Sequence, residues 1–108
     1  MTKGTLRYDP SVKPFRWNPD TNERLKAGRG ISFEEIVAAV EEDGLKDVLV
    51  HPNQRQYPGQ VVLVVVYRDY IFLVPSVEEK THYFLKTIIP SRKATRDYLG
   101  TGDTDEEA

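Results

Sequence analysis

The segment Gln60-Val-Val-Leu-Val-Val-Val-Tyr-Arg-Asp-Tyr-Ile-Phe-Leu-Val74 decides the fold class. Gln60 to Tyr67 is apolar at consecutive positions, so neither side of it suits water, and its valines favour an extended chain. That describes a central strand. Arg68-Asp69 has the length of a two-residue hairpin turn, and Tyr70 to Val74 returns as the next strand. Working outward, Val48-Leu-Val50 is a short strand before this pair. A turn at Glu78-Glu-Lys80 then leads into a last strand, Thr81 to Ile89. Simple alternation sets His82, Phe84, Lys86 and Ile88 on one side of that strand, and Tyr83, Leu85, Thr87 and Ile89 on the other.

Ahead of the strands the period changes to that of a helix. Ile31-Ser-Phe-Glu-Glu-Ile36 is a capping box with a staple: Ser32 caps, Glu35 stands three residues on, and Ile31 can pack on Ile36. Phe33, Ile36, Val37 and Val40 form one apolar stripe, Glu34, Glu41 and Glu42 lie off it, and Asp43-Gly44 ends the helix. An earlier helix opens at Asn18-Pro19, with Asp20 near the positive end of its dipole, and stops at Gly28-Arg-Gly30. Phe15-Arg-Trp17 is a short first strand, and Ser91 caps a last helix that ends at Gly100. The order β-α-α-β-β-β-β-α predicts an α+β domain. Two N-terminal helices pack on a mostly antiparallel sheet of four to five strands, and a short C-terminal helix follows. A chain of 108 residues makes one such domain, here residues 14–100. A leader over residues 1–13 is expected to be mobile and an acidic tail over residues 101–108 to be disordered.

The absence of cysteine excludes disulfides, thiolate chemistry and a cysteine-based zinc site. The longest apolar run, Val61 to Tyr67, is too short to span a bilayer, and no N-terminal apolar signal is present. A soluble cytoplasmic protein is expected. The net charge of −2 conceals a polarised chain. Of the 17 acids, four (Asp103, Asp105, Glu106, Glu107) lie in the tail, which leaves 13 against 15 bases elsewhere. Between Lys80 and Gly100, Lys80, Lys86, Arg92, Lys93 and Arg96 face only Asp97. Between Glu34 and Asp47 six acids face only Lys46. A basic C-terminal region on an acidic chain suits a local anion site.

Three groups of residues can carry chemistry. On the last helix Arg92, Lys93 and Arg96 fall within about 100° of arc, with Ala94, Thr95, Tyr98 and Leu99 opposite. They read as a phosphate clamp or as a solvated basic face. Lys86 interrupts an apolar run. It is either a proton acceptor or donor near the clamp or a lysine whose stem crosses the sheet to water. The loop His51-Pro-Asn-Gln-Arg-Gln-Tyr-Pro-Gly-Gln60 holds an imidazole, a guanidinium, a phenol and four amides. RNA cleavage by 2′-OH attack needs a base, cations for the phosphate and an acid for the leaving oxygen. His51, Arg55 and Tyr57 can supply them, or the segment is an ordinary polar connection. His51 and His82 are the only histidines, so no metal site is expected, and no nucleotide fingerprint or Ser-nucleophile motif calls for a cofactor. Trp17, Phe33, Tyr70 and Phe72 read as core rather than as a base-stacking platform.

Three segments in order resemble one family. Phe15-Arg-Trp-Asn-Pro-Asp-Thr-Asn22, Gly30-Ile-Ser-Phe-Glu-Glu-Ile36 and Ile88-Ile-Pro-Ser-Arg-Lys-Ala-Thr-Arg96 are similar to the BrnT toxins of bacterial type II toxin–antitoxin pairs. The likeness spans roughly Phe15 to Leu99. Arg29 stands where the family has histidine, and Pro90 where it has an alanine-like approach to Arg92. The resemblance implies a RelE-like fold, metal-independent endoribonuclease activity on RNA, and a small antitoxin partner of the ribbon-helix-helix type. By position in the motif, Arg92 and Lys93 carry over as the phosphate-holding residues. Lys86, His51, Tyr57, Arg55 and Arg96 rest on the chemistry above. The alternative is a non-catalytic member of the same family that binds an antitoxin-like protein or nucleic acid.

Overall fold

β3 (Gln60–Tyr67) and β4 (Tyr70–Glu78) pair antiparallel over their whole length, from Gln60 opposite Val77 to Tyr67 opposite Tyr70. Arg68 and Asp69 between them both have positive φ, 55° and 63°, the type I′ turn that matches the twist of the two strands. This computed structural model describes residues 13–100, so the expected leader, Lys13 apart, and the expected acidic tail lie outside the described residues. β2 (Leu45–Val50) flanks β3, and β5 (Tyr83–Leu85) flanks β4, both antiparallel. β1 (Phe15–Trp17) closes the other edge parallel to β5, which gives the order β1-β5-β4-β3-β2. With helices α1 (Pro19–Arg29), α2 (Phe33–Ala39) and α3 (Arg92–Leu99), the domain is α+β with a mostly antiparallel sheet.

The helix signals hold at atomic level. The Asn18 side chain accepts from the amides of Asp20 and Thr21, and Gly30 ends α1 in the left-handed region. Ser32 and Glu35 exchange the two bonds of a capping box, and Ile31 and Ile36 are both buried. Asn22, 4% exposed, locks the two helices together: its Oδ1 accepts from the Phe33 amide and its Nδ2 donates to Glu34. The end of α2 differs from expectation. The chain passes through a π turn, Val40–Gly44, in which Asp43 rather than the glycine takes the positive φ (69°). Gly44 is required by proximity instead, because a Cβ there would lie 2.6 Å from the Ala39 carbonyl oxygen and 2.8 Å from that of Val66.

The expected last strand, Thr81 to Ile89, is two strands. β5 stops at Leu85, and β6 (Ile89–Pro90) rejoins β4 further along. Leu85 lies opposite Ser76 and Ile89 opposite Leu73, so three residues, Lys86 to Ile88, oppose two, Val74 and Pro75. Pro75 has no N–H to continue the ladder, and the extra residue bulges. The alternation slips by one as a result. Ile88 joins Tyr83 and Leu85 in the core, fully buried, while Ile89 is 41% exposed.

The two faces of the sheet carry different helices. α1 and α2 bury Leu25, Phe33 and Ile36 against Leu63, Val65, Val74 and Leu85. α3 lies on the opposite face, with Ala94 and Leu99 against Val64 and Ile71. Trp17 stacks on Phe33 at 5.6 Å between ring centroids, so both aromatics belong to packing.

Candidate functional site

The bulge after β5 sets Lys86 apart. Its amide donates to the Pro75 carbonyl at 2.8 Å, and its side chain is exposed, with no ion-pair partner among the described residues. Pro75 lies opposite Val62, and Val62 opposite Leu49, so these three side chains form a row across β4, β3 and β2. They share the face on which α3 packs, but α3 covers the next rows, through Val64 and Ile71. The uncovered row floors a groove of about 220 Å³, with Lys86 at one end and His51 and Pro52 at the other.

His51 is held by a tightly bonded loop. Its amide donates to the Gln60 carbonyl at 3.0 Å, and its ring lies 4.4 Å from that of Tyr57. Gln54 closes the loop from inside. Its Nε2 donates to the carbonyls of His51 (2.9 Å) and Gln60 (3.2 Å), and its Oε1 accepts from the Gly59 amide (2.9 Å). The Asn53 amide donates to His51 Nδ1 at 3.0 Å, which assigns the neutral ring's proton to Nε2. His51 therefore presents a donor, and the role of proton acceptor does not fit this ring orientation. Arg55 is exposed on the same loop.

α3 is anchored at the other end of the sheet. The Ser91 amide donates to the Ile71 carbonyl (3.0 Å), the Ile71 amide to Thr95 Oγ1 (2.8 Å), and the Thr95 hydroxyl to the Ser91 carbonyl (2.7 Å). Lys93 is paired with Asp97 at 2.9 Å, and that bond holds the Asp97 carboxyl below the usual carboxylate range. Arg92 is exposed and Arg96 half-buried, neither in an ion pair among the described residues. Tyr98 donates to Asp47 at 3.1 Å, and burial together with that carboxylate pushes its phenol up. Ile71 and Pro75 are four residues apart on β4, so the anchors of α3 and of Lys86 are separated by about 13 Å. The fold thus brings Lys86, His51 and Tyr57 to one end of the sheet, with Arg55 on the same loop. It sets Arg92, Lys93 and Arg96 apart from them. Lys86 is exposed on a bulge, which matches the wet-ammonium reading rather than a buried base.

A second cleft opens on the other side of Lys86. It measures about 440 Å³ and is lined by Thr21, Arg24, Leu25, Gly28, Arg29, Lys86 and Thr87, with no acidic side chain. Arg29 reaches from the end of α1 to donate to the Ile88 carbonyl in the bulge. The sequence marks Arg29 only as a departure from the family motif, and nothing local points to Arg24. Their relation to Lys86 crosses some sixty positions.

Neither the protein-family models nor the curated proteins nor the solved structures include one that matches this chain. What fold and site define is therefore a class: an α+β domain with an acid-free groove and cleft that meet at one lysine. Among the described residues no helix is long and apolar enough to cross a membrane, and no three of His, Asp and Glu converge as metal ligands.

Proposed function

We propose that this chain is a toxin-like, metal-independent endoribonuclease, active in the cytoplasm and restrained by a cognate antitoxin of the ribbon-helix-helix type. The observation that carries the nuclease reading is Lys86: an exposed cation without an ion-pair partner among the described residues, sharing an acid-free groove with His51. The family resemblance supports the toxin and antitoxin parts.

The chemistry follows from the groove. A nucleobase lies on the apolar row Leu49, Val62 and Pro75, and the adjoining phosphate meets Lys86. The 2′ oxygen attacks phosphorus, the P–O5′ bond breaks, and a 2′,3′-cyclic phosphate forms. The 2′ proton passes to water. Lys86 stabilises the extra negative charge on the phosphoryl oxygens, the leaving 5′ oxygen takes its proton from water, and His51 Nε2–H donates a hydrogen bond to the nucleobase at the other end of the groove. Tyr57 holds the imidazole through a tilted ring contact, 4.4 Å between centroids. Arg55, Arg92 and Arg96 attract the RNA backbone over a longer range, while Lys93 is partly neutralised by Asp97.

The test is induced expression of the wild type, Lys86→Ala, His51→Ala and Arg92→Ala in bacteria, with growth and total-RNA integrity as readouts. Arrest and RNA loss in the wild type, abolished in Lys86→Ala and retained in part by Arg92→Ala, are expected. Abolition by Arg92→Ala alone moves the site to α3. One observation favours a second reading, a non-catalytic module that binds a protein. Leu49 and Val50 on edge strand β2 are 43% and 44% exposed, an unusual surface for a strand edge. Folded wild type that leaves growth and RNA intact selects that reading.

A further inference from the structure

We infer that the cleft between α1 and the bulge is a second phosphodiester subsite, which makes the ligand a single-stranded nucleic acid that crosses Lys86. This rests on the reading above and deepens it. Arg24, Arg29 and Lys86 line one cleft, two hydroxyl residues, Thr21 and Thr87, stand beside them, and no carboxylate is among the lining. Three like charges around one concavity repel each other, so an anion that enters relieves that repulsion and meets hydrogen-bond donors on several sides.

The arrangement of Arg29 adds to this. One Nη donates to the Ile88 carbonyl, which fixes the guanidinium at the cleft while its remaining N–H groups stay available. A guanidinium fixed in this way loses little entropy when it binds a phosphate in a forked contact. Arg24 makes only a long bond, 3.4 Å, to the Thr21 hydroxyl, so both groups can turn to a ligand.

Lys86 lines the cleft and the groove alike. A strand that fills both places one phosphate in the cleft and the next nucleotide's base on the apolar row beside His51. A base can lie there only when it is splayed out of a stack, which a single strand allows and a duplex resists. The groove selects an unpaired base, and the cleft reads backbone charge without reading sequence.

The experiment is fluorescence anisotropy of a short labelled 2′-O-methyl oligoribonucleotide, titrated with the full chain over a salt series. The probe lacks the 2′-OH nucleophile, so binding is read whether or not the protein cleaves RNA. The variants are Arg24→Gln and Arg29→Gln, the second retaining an amide donor for the Ile88 carbonyl, with thermal melting to confirm folding. The expected result is a wild-type slope of log affinity against log salt that shrinks by about 0.7 in each variant, as one phosphate contact is lost. Melting temperatures should stay unchanged, and a duplex of the same sequence should compete weakly. Unchanged slopes in both variants overturn the subsite, and equal competition by the duplex overturns the single-strand assignment. Absence of wild-type binding overturns the inference as a whole, whereas the expression experiment decides the nuclease reading separately.

Discussion

On one face of the sheet, α1 and α2 close over Leu63, Val65, Val74 and Leu85, each at most 1% exposed. On the other face, α3 covers Val64 and Ile71 and then stops, and Leu49 in the next row is 43% exposed. The closed face carries the apolar burial that holds the fold. The half-open face, with the bulge at its end, carries the polar groups that do not serve the fold. Lys86 and the His51–Tyr57 pair stand where packing has ended. Stability and chemistry are therefore separable here, and substitutions on the two faces should show it.

The largest effect belongs to the closed face. Phe33→Ala, at a fully buried site, should cost about 3–5 kcal/mol in urea unfolding, without lowering activity per folded molecule. A loss below about 1 kcal/mol would break the contrast. Next comes Lys86→Ala, which should slow RNA cleavage by about 100-fold, or some 2.7 kcal/mol of transition-state stabilisation, with an unchanged melting temperature. Arg92→Ala should cost less than about tenfold. The reverse ranking would assign the chemistry to α3.

Gln54→Ala tests whether the half-open face is rigid where it needs to be. It removes the bonds to His51, Gln60 and Gly59, and a loss of about 1–2 kcal/mol is expected. Faster hydrogen exchange at the Gly59 amide should accompany it. A smaller effect concerns pH. Backbone hydrogen bonding from Ser32 comes first, and the Tyr67 hydroxyl adds to it, so that the Glu35 carboxyl is held below its ordinary value. A lowered folded-state value means that the unfolded chain takes up the proton first. The contribution is present above the ordinary carboxylate value, about 4.3, and is lost as pH falls through the folded one. The melting temperature should therefore fall between roughly pH 5 and pH 3, less steeply in Glu35→Gln. Parallel profiles would remove Glu35 from the account. The smallest effect is expected from Leu49→Ser in the open row, within about 0.5 kcal/mol of wild type. A larger loss would show that the row is packed in solution.

Most of the fold was legible because its signals act over a few residues. Asn18, Ser32 and Ser91 cap helices through amides two or three positions away, and Arg68-Asp69 turns between two strands it touches directly. Even the loop that carries His51 could be read as a cluster of functional groups, though not as a structure sealed by Gln54. The slip at Lys86 could not be read from its own neighbourhood, because it comes from Pro75 on the adjacent strand, which lacks the N–H that alternation assumes. The basic helix that stood out in the sequence is anchored about 13 Å along β4 from the anchor of Lys86, and the cations that share a cleft with Lys86 come from α1. Hydrophobic period and capping are properties of a chain segment, so composition and order settled the elements and their class. Which face stays open, and which charges meet there, depend on strand register and on where α3 lands, and only the folded chain decides those.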